Sequence, residues 1–317
     1  MLRDVAEPKT SRLLSRRQRS VTWRLGRAVA PLAPTTRRAT ARARLRPTFL
    51  VIGAQKGGTT ALYRYLREHP AVLCATPKEV HYFNVEYHRG PGWYLAHFPL
   101  ATRGAAVRRR LGVRPAVGEV TPAYLFHPRV PERVHAFDPV LKLIAVLRDP
   151  AERAYSQYQM QLRGGTETRS FEYALEREEE EWPRELERLL ADPAYVSPTG
   201  LQRSYVARGR YAEQFERWLR FFPREQLLIL TSDDLLGDPA GAMAAVAAFL
   251  SIPAWQAETY PLRSVNEYEP MAPEIRDRLA RTFEPHNRRL EELLGFGLSW
   301  TRAAVPAPVL EPGPRAS

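Results

Sequence analysis

Phe49-Leu50-Val51-Ile52-Gly53-Ala54-Gln55-Lys56-Gly57-Gly58-Thr59-Thr60-Ala61-Leu62-Tyr63-Arg64-Tyr65 is the stretch on which the fold turns. It opens on a continuous apolar run, as a strand buried on both faces of a parallel sheet does. A glycine-bearing turn follows, and the pattern then predicts a helix from Thr59 to Glu68. Glycines let the backbone turn tightly and aim successive N–H groups at one anion held at the helix N-terminus. Thr59 and Thr60 add hydroxyl donors to the same place, and Lys56 adds a compact charge. In a nucleoside-triphosphatase loop the lysine follows the last glycine; here Lys56 precedes Gly57 and Gly58. A plain strand-to-helix turn has no need of a lysine, two glycines and two threonines together.

Working outward, apolar runs and amphipathic stretches alternate. Strands are expected at Ala71 to Cys74, Val117 to Val120, Leu141 to Leu147 and Leu227 to Leu230. Helices are expected after Pro150 and over Ser170 to Glu181, Pro198 to Ala207, Tyr211 to Phe222, Pro239 to Leu250 and Pro273 to Leu294. At Arg148-Asp149-Pro150, Asp149 reads as a helix cap, Pro150 as the first helical residue and Glu152 as the partner in a capping box. The alternation gives an α/β class: a P-loop-like three-layer fold with a central parallel sheet flanked by helices. The acidic segment from Glu176 to Glu187, with Arg177, Arg184 and Arg188 among it, reads as a solvated helix face rather than a metal site.

Composition bounds the partners. The 317 residues carry 47 Lys and Arg against 35 Asp and Glu, a formal charge of +12. Residues 1–46 hold 13 of the basic side chains and two acids, so nearly all of the excess belongs to that stretch and the remainder is close to neutral. Its low hydrophobicity predicts a disordered basic arm, with a transient helix near Ser20 to Val29, able to contact anionic membrane or nucleic acid. The domain is expected over residues 47–300, and the Pro- and Ala-rich residues 301–317 are expected to form a disordered tail. A single cysteine, Cys74, excludes a disulfide framework or a thiolate zinc cluster and reads as a small buried apolar residue. No transmembrane segment or signal peptide is evident, so the expected location is cytoplasmic, peripheral to a membrane at most.

Two further groups carry chemistry. Arg148 stands at the C-terminal end of the strongest strand, where open α/β sheets bind ligands, and Ser156 lies eight residues on in the next helix. Together they offer a second anion site, while Arg153 reads as structural, pairing with acids on its own helix. Pro77-Lys78-Glu79-Val80-His81-Tyr82-Phe83-Asn84 places Glu79 and His81 two apart, on one side of an extended segment. The chain has four lysines against 43 arginines. Lys56 and Lys78 falling at these sites therefore points to a need for a donor that can also give up a proton.

The run from Phe49 to Tyr65 resembles the 5′-phosphosulfate loop of sulfotransferases that use 3′-phosphoadenosine 5′-phosphosulfate (PAPS), above all the heparan sulfate N- and 3-O-sulfotransferases and their bacterial relatives. The resemblance implies that Gly57, Gly58, Thr59 and Thr60 hold the donor's 5′-phosphate and that Lys56 stabilises the oxygen from which sulfuryl departs. Arg148 to Tyr158 resembles the family's 3′-phosphate motif, which implies contacts from Arg148 and Ser156. Lys78 to Phe83 is similar to the family's K-E-x-H-[FY]-F element, which implies Glu79 as general base with His81 orienting the acceptor or assisting. Gly209 to Pro223 resembles a further family segment and reads by itself as a core helix carrying Phe215, Trp218 and Phe222. Val120 stands where the heparan sulfate enzymes carry a lysine, and Arg263 to Tyr268 where they carry a Lys-Gly-Phe/Tyr lid. The expected reaction is in-line sulfuryl transfer from PAPS, without a metal, to a hydroxyl (less readily an amine) of a glycan, glycolipid or small hydroxylated acceptor. Two other readings stay open on the residues alone: a small-molecule kinase on a variant phosphate loop, and a nucleic-acid- or membrane-binding protein acting through its basic arm.

Overall fold

The computed structural model describes residues 37–260 and 268–301. Five strands form one parallel sheet: β1 (Phe49–Gly53), β2 (Val72–Cys74), β3 (Ala116–Val120), β4 (Lys142–Leu147) and β5 (Leu227–Thr231), in the order β2-β3-β1-β4-β5. β1 lies at the centre with Phe49 opposite both Gly118 and Lys142, and all five of its residues are buried. A Cβ at Gly118 would meet the Phe49 ring and carbonyl at 2.6 Å, so only glycine lets β3 close on β1 there.

The strands alternate sides, and each side has its own core. Leu50, Ile52, Leu143, Ala145 and Leu147 pack with Tyr211, Phe215 and Trp218, and with Leu290 and Leu294 from the last helix. Phe49, Val51, Ile144 and Val146 pack with Leu62, Tyr65 and Leu66, and with Met243, Val246 and Leu250. The helices that cover the sheet are α1 (Thr59–Glu68), α2 (Pro91–Leu95), α3 (Ala101–Leu111), α4 (Val130–Phe137), α5 (Pro150–Gly164), α6 (Phe171–Ala191), α7 (Pro198–Gln202), α8 (Tyr211–Leu219), α9 (Ser232–Gly237), α10 (Pro239–Leu250) and α11 (Pro273–Leu294). A third cluster joins α5, α6 and α11 through Ala154, Tyr158, Phe171, Leu175, Leu279 and Phe283. The α/β layered class read from the sequence is the observed one.

Several local expectations change. The helix expected to stop at Glu181 continues through Pro183 to Ala191. The helix expected from Pro198 to Ala207 is a single turn, because Glu178 captures the N–H groups of Tyr205, Val206 and Ala207 and draws them out of helical pairing. Glu178 is thus buried rather than on a solvated face, and Glu185 in the same run accepts from Tyr195 and Ser197. Arg153 pairs with no acid of its own helix; fully buried, it donates to Gln157 and to the Tyr205 carbonyl. Within residues 1–46, Ala41–Ala43 form a 3-10 turn, and Arg44 and Leu45 bond to the carbonyls of Phe98 and Pro99. The transient helix near Ser20 to Val29, Arg263 and residues 302–317 lie outside the described residues. Cys74 is partly covered on the edge strand, and burial pushes its thiol pKa up to about 12, so no thiolate forms at neutral pH.

Candidate active site

β1 and β4 end side by side, and the loops that leave them form the floor of a cleft of about 1570 Å³. Lys56, Gly57, Gly58, Thr59, Thr60, Glu79, His81, Arg148 and Ser156 all line it, so the fold brings together every site residue read from the sequence. Binding at the carboxyl ends of parallel strands, where the connections diverge, is the general rule for such sheets.

The loop after β1 is fixed by its backbone. Ala54 N–H donates to the Val146 carbonyl at 2.9 Å, and Gly57 N–H donates to Ala54 at 2.9 Å. A Cβ on Gly57 would stand 2.1 Å from the Val146 carbonyl oxygen, so the loop hugs β4 only because that residue is glycine. Lys56 has φ 70° and Gly58 φ 107°, which turns the chain into α1. Burial, and then the like charges of Arg163, Arg148, Arg153 and Lys78, lower the pKa of Lys56. Among the described residues no carboxylate lies within ion-pair distance of it. A half-buried lysine crowded by cations and lacking a carboxylate is a site built to take an anion.

The second anion group sits at the end of β4. Arg148 Nη2 lies 3.4 Å from Glu152 Oε2, and Glu152 Oε1 is 2.5 Å from Arg276 on α11. Asp149 caps α5 by accepting from Ala151 at 2.8 Å and Glu152 at 3.0 Å. The expected capping box does not form, because the Glu152 carboxylate turns instead to the two arginines. Ser156 is buried one turn further on, on the face of α5 that lines the cleft.

Across the cleft, the Glu79 N–H donates to the Val120 carbonyl at 3.0 Å, which anchors the Lys78–His81 segment to the end of β3. Glu79 and His81 are not on an extended strand: their φ values are 63° and 57°. Four non-glycine residues among those described have positive φ, and three of them are Lys56, Glu79 and His81. Such backbone is costly and is retained where a side chain must be aimed. The His81 Nε2 atom lies 3.5 Å from Glu79 Oε2, and its Nδ1 is 3.3 Å from Asn84 Oδ1. Lys78 Nζ donates to Glu79 Oε1 at 2.8 Å and to Thr60 Oγ1 at 3.1 Å, bridging the two walls. Burial works against the charge on Glu79, but His81 and Lys78 outweigh it and hold the carboxyl down to about 2. Val120 is buried in the second core, facing away from the cleft.

Sequence reasoning missed one member. Arg208, on the turn before α8, lines the cleft, and nothing in its neighbours singles it out among 43 arginines. Tyr211, read as core, is buried but also donates to the Arg148 carbonyl at 2.9 Å.

A parallel α/β fold with an anion loop after its first strand, a second cation at its fourth and a carboxylate facing them defines a group-transfer enzyme acting on an anionic donor. The sulfotransferase domain family matches over residues 46–269, and the chain belongs to that family. It is 36% identical over 212 residues to the human bifunctional heparan sulfate N-deacetylase/N-sulfotransferase 3, covering 65% of this chain and 22% of that one. It is 34% identical over 206 residues to human heparan sulfate glucosamine 3-O-sulfotransferase 6, covering 65% of this chain and 52% of that one. The chain therefore spans between about a fifth and a half of these two relatives. Among solved structures, a sulfotransferase from Alicyclobacillus acidocaldarius is 31% identical with a TM-score of 0.62, covering 82% of this chain and all of that one.

Proposed function

We propose that the protein transfers a sulfuryl group from PAPS to a hydroxyl of a glycan, glycolipid or small hydroxylated acceptor, an amine being the less favoured nucleophile. The observation that carries this reading is the opposition across one cleft of Lys56, which has no carboxylate partner among the described residues, and Glu79, an ionised one. Gly57, Gly58, Thr59 and Thr60 take the 5′-phosphate end of the donor, and Arg148 and Ser156 take its 3′-phosphate. Glu79 accepts the proton of the acceptor hydroxyl as its oxygen forms the new S–O bond. The S–O bond to the 5′-phosphate breaks opposite, and Lys56 stabilises the negative charge left on that phosphate. His81 fixes the Glu79 carboxylate for this approach.

The heparan sulfate relatives support a carbohydrate acceptor, while the buried Val120, in place of their lysine, argues against a strongly anionic polysaccharide. Among the described residues no helix is long and apolar enough to cross a membrane. The 13 basic side chains of residues 1–46 support peripheral contact with an anionic membrane or nucleic acid from the cytoplasm.

Radiolabelled PAPS, supplied with a lysate or glycan panel, tests the reading. Transfer of label must be abolished in Lys56→Ala and Glu79→Ala, while Glu79→Ala keeps binding the desulfated nucleotide PAP. Wild-type protein that binds PAP more weakly than about millimolar, an affinity of roughly 4 kcal/mol, would overturn it.

A further inference from the structure

Arg208 is a charge the reaction as described leaves without a task. It is 4% exposed, yet it lines the cleft together with Ala123, Val196 and Leu201 and lies near enough to Glu79 to feel its charge. Its Nε donates to Ser204 Oγ at 2.8 Å and its Nη2 to the Gly200 carbonyl at 2.6 Å, and the guanidinium lies 4.6 Å over the Phe126 ring. Among the described residues Nη1 has no partner, and it is not sealed from solvent, so it is the group this side chain offers to the cleft. Among the described residues no carboxylate lies within ion-pair distance of the guanidinium; Glu178 and Glu79 act on it only through their fields.

A buried cation without a paired carboxylate is expensive, and burial depresses its pKa to about 9. Much of the surrounding structure serves to hold it. The Glu178 carboxylate accepts from three consecutive N–H groups of the turn leading to it, and Ser204, itself donating to Gly200, fixes its Nε. A guanidinium with two nitrogens locked and the third free is aimed, and what it suits is an oxygen anion.

We propose that Arg208 is an oxyanion-recognition residue of the acceptor half of the cleft, donating from Nη1 to an oxygen anion present only when the reacting partners are bound. The inference rests on the sulfotransferase reading. Two sources of that oxyanion share the same chemistry: the sulfuryl oxygens of PAPS, or an acidic substituent on the acceptor next to its reacting hydroxyl.

Arg208→Gln, which keeps an amide donor, separates them by equilibrium binding to the full chain. If the sulfuryl is the ligand, the variant binds PAP within about twofold of wild type but loses tenfold or more in PAPS affinity, on the order of 1.4 kcal/mol. If an acceptor acid is the ligand, the PAPS-to-PAP ratio holds. The PAP-loaded variant then loses tenfold or more in affinity for 4-nitrophenyl glucuronide but not for the neutral 4-nitrophenyl glucoside. Should Arg208→Gln fail to fold, Ser204→Ala frees Nε without removing the charge and must show the same selective loss in smaller measure. A folded variant indistinguishable from wild type in PAP, PAPS and glucuronide binding overturns the assignment. Failure of wild type to bind PAP would instead sink the sulfotransferase reading itself.

Discussion

The hydroxyl of Tyr211 donates to the backbone carbonyl of Arg148 at 2.9 Å, tying the start of α8 to the end of β4. The backbone of Arg148 is thereby held by a residue 63 positions away in the chain. Tyr211→Phe keeps the ring in its core and leaves that carbonyl without its partner. The bond is present in the free chain, so its loss, worth about 1 kcal/mol of stability, should lower the unfolding midpoint by about 2–4 °C, and PAP affinity should fall as well because Arg148 loses its tether. Calorimetry showing unchanged affinity would remove Tyr211 from the site.

Gly57 is constrained more severely. An added Cβ would stand 2.1 Å from a main-chain oxygen of β4, which no side-chain rotation can relieve. Gly57→Ala must move the loop or the strand, and a displacement near 1 Å at a reacting centre costs on the order of 100-fold. A loss of sulfuryl-transfer rate of that size is expected, with PAP binding weakened alongside it. Gly237→Ala, where nothing lies within 4 Å, serves as the control that leaves binding intact. Equal affinities in the two variants would contradict the loop's assignment.

Lys78 spans the cleft from Thr60 to Glu79, so if Glu79 is the base, as proposed, Lys78 couples its strength to the loop after β1. Lys78→Met removes one of the two groups that hold the Glu79 carboxyl down, while burial continues to push it up. The Glu79 pKa therefore rises from about 2 toward or past its ordinary value of 4.5. The base is lost on acidification through its pKa, so the acid limb of kcat/KM should move to higher pH in the variant. Lys78→Arg, which keeps the charge, should leave the limb nearly in place. An unmoved limb in Lys78→Met would show that Lys78 does not tune Glu79.

What the sequence disclosed, and what it hid, follows from the range of the interactions involved. β1, β4 and β5 are short apolar runs whose burial is local information, and the loop from Gly53 to Thr60 carries its chemistry in consecutive residues. Glu79 and His81 were legible as a pair, but the pleat that suggested their common side is not the reason they meet; left-handed backbone at both is. Arg208 was invisible because its meaning lies in Ser204, Gly200 and Phe126 around it and in the absence of a paired acid among the described residues. Glu178 was misread because a run of acids on a helix usually faces solvent, and its three partners lie 27 to 29 residues further along the chain.

Glu178 also gives the fold a pH dependence. Its carboxylate accepts from Tyr205 at 2.6 Å, Val206 at 2.7 Å and Ala207 at 2.8 Å, inside a fully covered site. Burial drives its pKa up to about 7, against the pull of those N–H groups and of Arg153, whereas an unperturbed glutamate titrates at 4.5. Between these values the folded chain holds a proton that the unfolded chain has released. Stability must therefore fall as pH rises from about 4.5 to about 7, by up to about 3 kcal/mol, and stay level with respect to this group above that. Glu178→Gln keeps an oxygen acceptor but cannot titrate, so urea unfolding at pH 5 and pH 7 should show a smaller difference in the variant than in wild type. Glu178→Ala strands three N–H groups, of which the two buried ones, Tyr205 and Ala207, cost about 1–3 kcal/mol each, and should destabilise the chain at both pH values. If Glu178→Gln reproduces the wild-type difference between pH 5 and pH 7, the titrating group lies elsewhere. If it flattens that difference and leaves PAP affinity intact, the carboxylate is the anchor of the turn that carries Arg208, and its role is to hold that turn rather than to meet the donor nucleotide.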